Sequence, residues 1–275
     1  MSEATVSRLQ DFSVIRLSGQ DAFSFLQGQV TCDVNQLKEQ PWLAGCHCNA
    51  KGKMWSSFIA FMQDQDILLV MSKDSAEASL AELNKYGVFA KAEITDDSGN
   101  WYVYGSTSSV DGEININLAE DHLLVLSRTE QLTNGEPSAW WQREILSGRA
   151  HLFTASIGEY VPQMLNLQAL NYISFNKGCY MGQEMVARMR YLGKNKRALY
   201  IAQIDQELSL EPEQDVAIEL NGNKRNVGKV IHSQIFEGKT WLQLVLPKDT
   251  ELSETLYLSS GHSITLLELP YQIEQ

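Results

Sequence analysis

From about residue 196 to the C-terminus the chain carries six short apolar runs in succession, at 199–204, 216–220, 227–232, 241–246, 255–258 and 264–267. Each has the length of a strand, and polar residues separate them. Asn221-Gly222, between the second and third runs, is a tight-turn signal. Short strands in this arrangement predict a small β-barrel.

Upstream, strands alternate with helices. Residues 13–17, 43–48 and 54–62 read as strands, the last two around the turn Ala50-Lys51-Gly52-Lys53, and 67–71 reads as a fully buried strand. A short helix is expected over 21–27, with Phe23, Phe25 and Leu26 inward. Another starts near Asp74, where Ala76, Leu80 and Leu83 recur at helical spacing, and ends near Gly87. Further on, 101–105 and 122–127 read as strands. Pro137 suits the first turn of a helix carrying Trp140, Trp141, Ile145 and Leu146, and Gly148 suits its stop. Residues 164–170 are expected to be helical and 179–188 to form a turn and a helix. The chain thus divides into two α/β modules, 1–95 and 96–195, and a C-terminal barrel module, 196–275: an α+β protein.

At 275 residues, 44% of them hydrophobic and 20% charged, the chain has the size and composition of two or three packed globular units. Residues 1–13 lack the apolar core of a signal peptide, and the densest aliphatic run, 67–71, is too short to cross a bilayer. These features predict a cytoplasmic protein with no membrane partner. Its four cysteines, Cys32, Cys46, Cys48 and Cys179, are accordingly read as reduced thiols.

Net charge is −12, which opposes non-specific binding to nucleic acid. One stretch runs against it. Between Lys177 and Arg197 six residues are basic and only Glu184 is acidic. This stretch opens with Lys177-Gly178-Cys179-Tyr180-Met181-Gly182-Gln183-Glu184. A cysteine beside a lysine and near a helix start has two named causes for a stabilised thiolate. Cys179 is therefore the candidate reactive group, Lys177 the candidate cation that favours its thiolate, and the two glycines would let the backbone approach a ligand.

Other candidates compete with plainer readings. Cys46-His47-Cys48 invites a metal, but Cys-x-Cys puts two thiols on one strand face and no second ligand pair is evident, so no metal site is expected. The basic group Arg188, Arg190, Lys194, Lys196 and Arg197 is either a solvated turn or an anion site, for the carboxylates of a glutamate tail or for RNA phosphate. Trp140 and Trp141, adjacent on one helix, are expected to face different ways, one toward the core and one toward the surface.

Several stretches together resemble the YgfZ family, which is related to the T-protein (aminomethyltransferase) of the glycine cleavage system. They are Phe25-Leu26-Gln27-Gly28-Gln29-Val30-Thr31-Cys32-Asp33-Val34, Cys48-Asn49-Ala50-Lys51-Gly52-Lys53-Met54, Val161-Pro162-Gln163-Met164-Leu165-Asn166-Leu167 and, most specific, the Cys179 motif. The resemblance implies a T-protein-like fold of three modules around a central folate-binding opening. It implies tetrahydrofolate or another reduced folate as cofactor, with Phe12 and Trp140 at the family's folate positions, flat partners on which a pterin can stack; Arg188, from the basic group, is the candidate partner for the folate's glutamate tail. It further implies an accessory role, as a monomer, for iron–sulfur enzymes of tRNA thiolation, with direct tRNA contact as a rival. One departure bears on chemistry. T-proteins carry adjacent aspartates where this chain has Ser56 and Ser57, and a hydroxyl cannot stabilise an iminium as a carboxylate does. Aminomethyl transfer is therefore not expected, and a folate-dependent transferase is the alternative reading.

Overall fold

The computed structural model describes residues 4–193, 195–220 and 223–273. Its first unit is a five-stranded antiparallel sheet in the order Trp42–Cys48, Met54–Gln63, Asp66–Ser72, Phe12–Ser18, Glu93–Asp96. The period-2 alternation of strand side chains gives this sheet two apolar faces. Ile15 and Leu17 pack on one side with Leu26 of helix α1 (Ala22–Gln27) and Leu83 of helix α2 (Lys73–Gly87). Phe12 and Val14 face the opposite side and join a larger core.

The second unit is a four-stranded antiparallel sheet ordered Val6–Arg8, Tyr102–Ser106, His122–Ser127, Ile114–Ala119. Its edge strand comes from the N-terminus, so the chain begins in the second sheet before it builds the first. Helix α3 (Pro137–Leu146) starts with Pro137 and is followed by Gly148 at φ 68°, as the sequence predicts.

All six C-terminal runs form strands, and they close into a barrel in the order Arg197–Ile204, Lys239–Pro247, Asn223–Phe236, Asp215–Leu220, Leu256–Leu258, Ser263–Leu267. The Asn221-Gly222 turn lies outside the described residues. The barrel has its own interior, with Leu242, Leu244 and Val230 fully buried. The three units also share a core in which Phe12 and Val14 of the first sheet meet Trp140 and Trp141 of α3 and Leu199, Ile231 and Val245 of the barrel.

Two readings change. Val6–Arg8, Glu93–Asp96 and Ile114–Ala119 are short edge or outer strands with weak alternation, and the sequence pattern does not mark them. Residues 164–170 are not a continuous helix: a 3-10 turn spans Pro162–Leu165 and stops at Asn166, whose φ of 55° breaks helical geometry. Residues 179–188 do form a turn and then a helix, α4 (Gln183–Tyr191), which begins four residues after Cys179.

Candidate functional site

The segment that carries Cys179 is fixed by contacts to two distant turns. Its first anchor is a pair of glycines. Gly182 has φ 82°, and a Cβ there would lie 2.5 Å from the Asn49 carbonyl oxygen and 2.9 Å from Gly52 Cα. Gly52 has φ 72°, and a Cβ on it would meet Met185 Cβ at 2.9 Å. Only residues without side chains allow this approach in that conformation. The turn holding Gly52 is itself tied by Asn49, whose Oδ1 accepts from the Lys51 and Lys53 amides at 2.9 and 3.1 Å. Two sequence motifs separated by more than a hundred residues thus meet backbone to backbone.

The second anchor is Lys177. Its ammonium donates to the carbonyl oxygens of Gln27, Val30 and Cys32, each at 2.7 Å. All three N–H donors of the head are then in use. Burial pushes the Lys177 amine down to about 8, opposed by the nearby Cys32 and Asp33. The Met181 amide donates to the Gly28 carbonyl at 3.0 Å and the Ser174 amide to Thr31 at 2.9 Å, which extends the attachment along the segment. The geometry thus gives Lys177 a positioning role, since its charge is directed at carbonyl groups.

Between these anchors Cys179 is exposed, while Cys32, Cys46 and Cys48 are buried. Burial pushes the Cys32 thiol up to about 12 and raises Cys46 and Cys48 as well. The strand alternation puts Cys46 and Cys48 on the shared-core face, while His47 turns the other way and its Nδ1 lies 3.1 Å from Ser79 Oγ.

The basic residues do not converge. Arg188 lies 3.5 Å from Glu184, Arg190 stacks over Phe175 at 3.8 Å, and Arg197 donates to the Val227 carbonyl in the barrel. Lys196 is exposed, and Lys194 lies outside the described residues.

Phe12 and Trp140 are brought together, in a cluster separate from the anchored segment. Their ring centroids are 5.6 Å apart and nearly perpendicular, and Phe12 stacks on Trp141 at 5.4 Å. Contrary to the sequence expectation, both tryptophans are buried, Trp140 at 5% and Trp141 at 4% exposure. Trp140 lies toward the second sheet, over the Cα of Gly105, with its Nε1 donating to Leu123 at 3.0 Å, while Trp141 meets His232 of the barrel. The second sheet covers one ring and the barrel the other, and the helix keeps its solvent face at Arg143. Ser57 lines the same small cavity and donates to the Ala150 carbonyl at 2.7 Å, whereas Ser56 pairs with Ser79.

Beneath these rings lies a buried charge network that the sequence reading missed. The Glu144 carboxylate accepts from His122 Nε2 at 2.6 Å, Arg149 at 2.6 Å and His151 Nε2 at 2.7 Å. Burial alone would raise its carboxyl. Arg149 and the two histidine hydrogen bonds outweigh that and hold it well below the usual range. The available signal was an acid between Trp141 and Ile145 on the inward face of a predicted helix. Among the described residues the Nδ1 atoms of His122 and His151 have no hydrogen-bond partner.

The cavity between Phe12, Trp140 and this network measures about 10 Å³. That is room for about one water molecule. The residues offer flat faces and hydrogen-bonding edges suited to a pterin, but the space does not fit one until the rings part. A second cavity, of about 690 Å³, opens beside the anchored segment and is lined in part by Cys32, Trp42, Phe175 and Arg190.

This architecture defines a class. The structure superposes on the glycine cleavage system aminomethyltransferase T of Bartonella henselae with a TM-score of 0.68, covering 99% of this chain and 87% of that one. Identity is 12%, so the likeness establishes the T-protein fold alone. Sequence relatives narrow it. The tRNA-modifying protein YgfZ of Colwellia psychrerythraea is 37% identical over 99% of this chain and 95% of its own length, and that of Pectobacterium atrosepticum is 34% identical over 98% and 92%. An uncharacterized protein of Haemophilus influenzae is 33% identical over 97% and 98%. The chain belongs to the YgfZ family. No family model matches it. Among the described residues, no helix is long and apolar enough to cross a membrane.

Proposed function

We propose that this chain is an accessory factor in tRNA modification that works through the thiol of Cys179 and takes a reduced folate as its ligand. The observation that carries the reading is the contrast among four cysteines: one stands exposed on a segment held by a glycine contact and a lysine clamp, and three are buried. Holding a thiol in place while leaving it accessible is what a reacting group requires. The names of the relatives supply the tRNA context. Its natural place is in support of iron–sulfur enzymes that thiolate tRNA, acting as a monomer in the cytoplasm, with protein partners engaged through the Cys179 face. Aminomethyl transfer is disfavoured because both hydroxyls that replace the aspartates are committed to neutral hydrogen bonds.

Tetrahydrofolate is assigned to the Phe12–Trp140 cluster, and its entry requires those rings to separate. Titration of the protein with tetrahydrofolate should then quench tryptophan fluorescence, and Trp140→Phe should remove most of the quenching. For the thiol, the test is a strain lacking its own family member, complemented with this chain or with Cys179→Ser. The serine variant is expected to accumulate, to melt near the wild-type temperature, to bind tetrahydrofolate and to leave thiolated nucleosides at the level of the empty strain. Full restoration by the serine variant would refute the thiol reading.

A further inference from the structure

The 690 Å³ cavity beside the Cys179 segment has a use of its own. It exists because the first sheet loses its neighbour partway along an edge strand. Strand Trp42–Cys48 is the last strand of the sheet. At Cys46 its outward backbone groups are satisfied: the amide donates to Thr31 Oγ1 at 2.9 Å, and the carbonyl accepts from the Thr31 amide at 3.0 Å. In an antiparallel strand every second residue turns its N–H and C=O the same way. Ala44 and Trp42 therefore point theirs outward too. There the covering segment has veered away after Cys32 into the 3-10 turn Val34–Lys38, and among the described residues these groups have no hydrogen-bond partner. Ala44 is only 8% exposed, so its donor and acceptor sit at the wall of a recess.

The other walls are specific in type. Trp42, Phe175 and Tyr191 bring aromatic faces, and Gln36 and Asn176 bring side-chain amides. The Arg190 guanidinium carbon sits over the Phe175 ring, 3.8 Å from its centroid, its charge unpaired by any carboxylate among the described residues. Tyr191, the last residue of α4, is 68% exposed at the mouth. Aromatic faces, amides and a backbone donor–acceptor edge match a planar ring with its own hydrogen-bonding edge, and a fixed guanidinium matches an attached anion. The volume lies within the range of about 300–1,000 Å³ that encloses such ligands. The segment that lines it, through Phe175 and Asn176, continues directly into Lys177 and Cys179.

We propose that this cavity receives one unpaired nucleotide of RNA: the base enters against Trp42 and Tyr191, reads the Ala44 edge, and leaves its phosphate on Arg190. The proposal rests on the tRNA context of the proposed function but not on folate binding. It also reconciles an RNA substrate with a net charge of −12, because a single-nucleotide contact needs one cation rather than a basic surface.

The test is fluorescence anisotropy of a labelled single-stranded octaribonucleotide with the full chain, Tyr191→Ala, Arg190→Ala and Trp140→Phe. Tyr191→Ala removes an exposed ring and leaves the fold intact. It should weaken RNA binding about tenfold, the loss expected of one stacked base. Wild-type affinity should fall with salt at a log–log slope near about −0.7, the value for one single-strand phosphate, and Arg190→Ala should flatten it. Trp140→Phe should leave RNA affinity unchanged, which separates this site from the aromatic cluster. Equal RNA affinity for wild type and Tyr191→Ala, or no RNA binding, overturns the proposal. So does the same panel showing that tetrahydrofolate, not RNA, is lost on Tyr191→Ala, since the ring would then be a pterin.

Discussion

At the scale of single residues the Cys179 motif is a device for backbone approach. Gly182 is the residue that most directly links its sequence to its geometry. Its φ of 82° disfavours any side chain by about 1–2 kcal/mol. The 2.5 Å approach to the Asn49 carbonyl adds a clash that backbone cannot relieve cheaply. Gly182→Ala is expected to lower stability by about 2 kcal/mol or more in urea denaturation and to loosen the Cys179 segment to proteolysis. Gly178, where an added Cβ would find open space, serves as the control, and Gly178→Ala should do neither. Lys177 carries a different part. Lys177→Met keeps the aliphatic stem but leaves three carbonyl oxygens without their donor. The expected cost is about 2–4 kcal/mol by the same measurement. Lys177→Arg should rescue poorly, because a planar fork does not point three ways as an ammonium does.

At the scale of elements, helix α3 shows how far the sequence could be read. Pro137 and Gly148 marked both ends, and the six barrel strands were visible because each is a short apolar run set off by polar residues. The Cys179 motif could be picked out by its charge and glycines. What stayed hidden depends on tertiary context. Both tryptophans of α3 are buried because the second sheet covers one and the barrel the other, which no single-helix pattern encodes. The role of Lys177 was hidden because its partners are carbonyl groups, which any sequence supplies. Glu144 was hidden because its three partners come from a strand and from the stretch after the helix. That network carries a prediction. Glu144→Ala leaves the Arg149 guanidinium buried without its carboxylate, so a loss of about 3–5 kcal/mol is expected by calorimetry or denaturant. A variant as stable as wild type would show that the network is dispensable to the junction of the three units.

At the scale of the whole molecule, stability should depend on acid through a histidine buried as a neutral ring. Burial lowers His47 to about 4 from an ordinary 6.5, and the half-buried His232, next to His151, is lowered in the same direction. The sign follows from proton counts. Above pH 6.5 neither state binds the extra proton. Below it the unfolded chain does and the folded protein does not, so stability falls as pH drops from 6.5 toward 4. At pH 5 the His47 ring should cost about 2 kcal/mol relative to pH 7. Thermal denaturation at the two pH values measures the loss, and a melting temperature unchanged between them would contradict the burial of this ring. The three-unit assembly has its functional consequence at one atom. It buries two thiols in the core the three units share and a third in the first unit's own core, and holds the fourth at the surface between two anchors. The most direct measurement of that claim is limited alkylation of the native protein with iodoacetamide near neutral pH, read by mass spectrometry at each cysteine. Cys179 should be modified to completion before any label reaches Cys32, Cys46 or Cys48. Labelling of one of those three ahead of Cys179 would contradict the account.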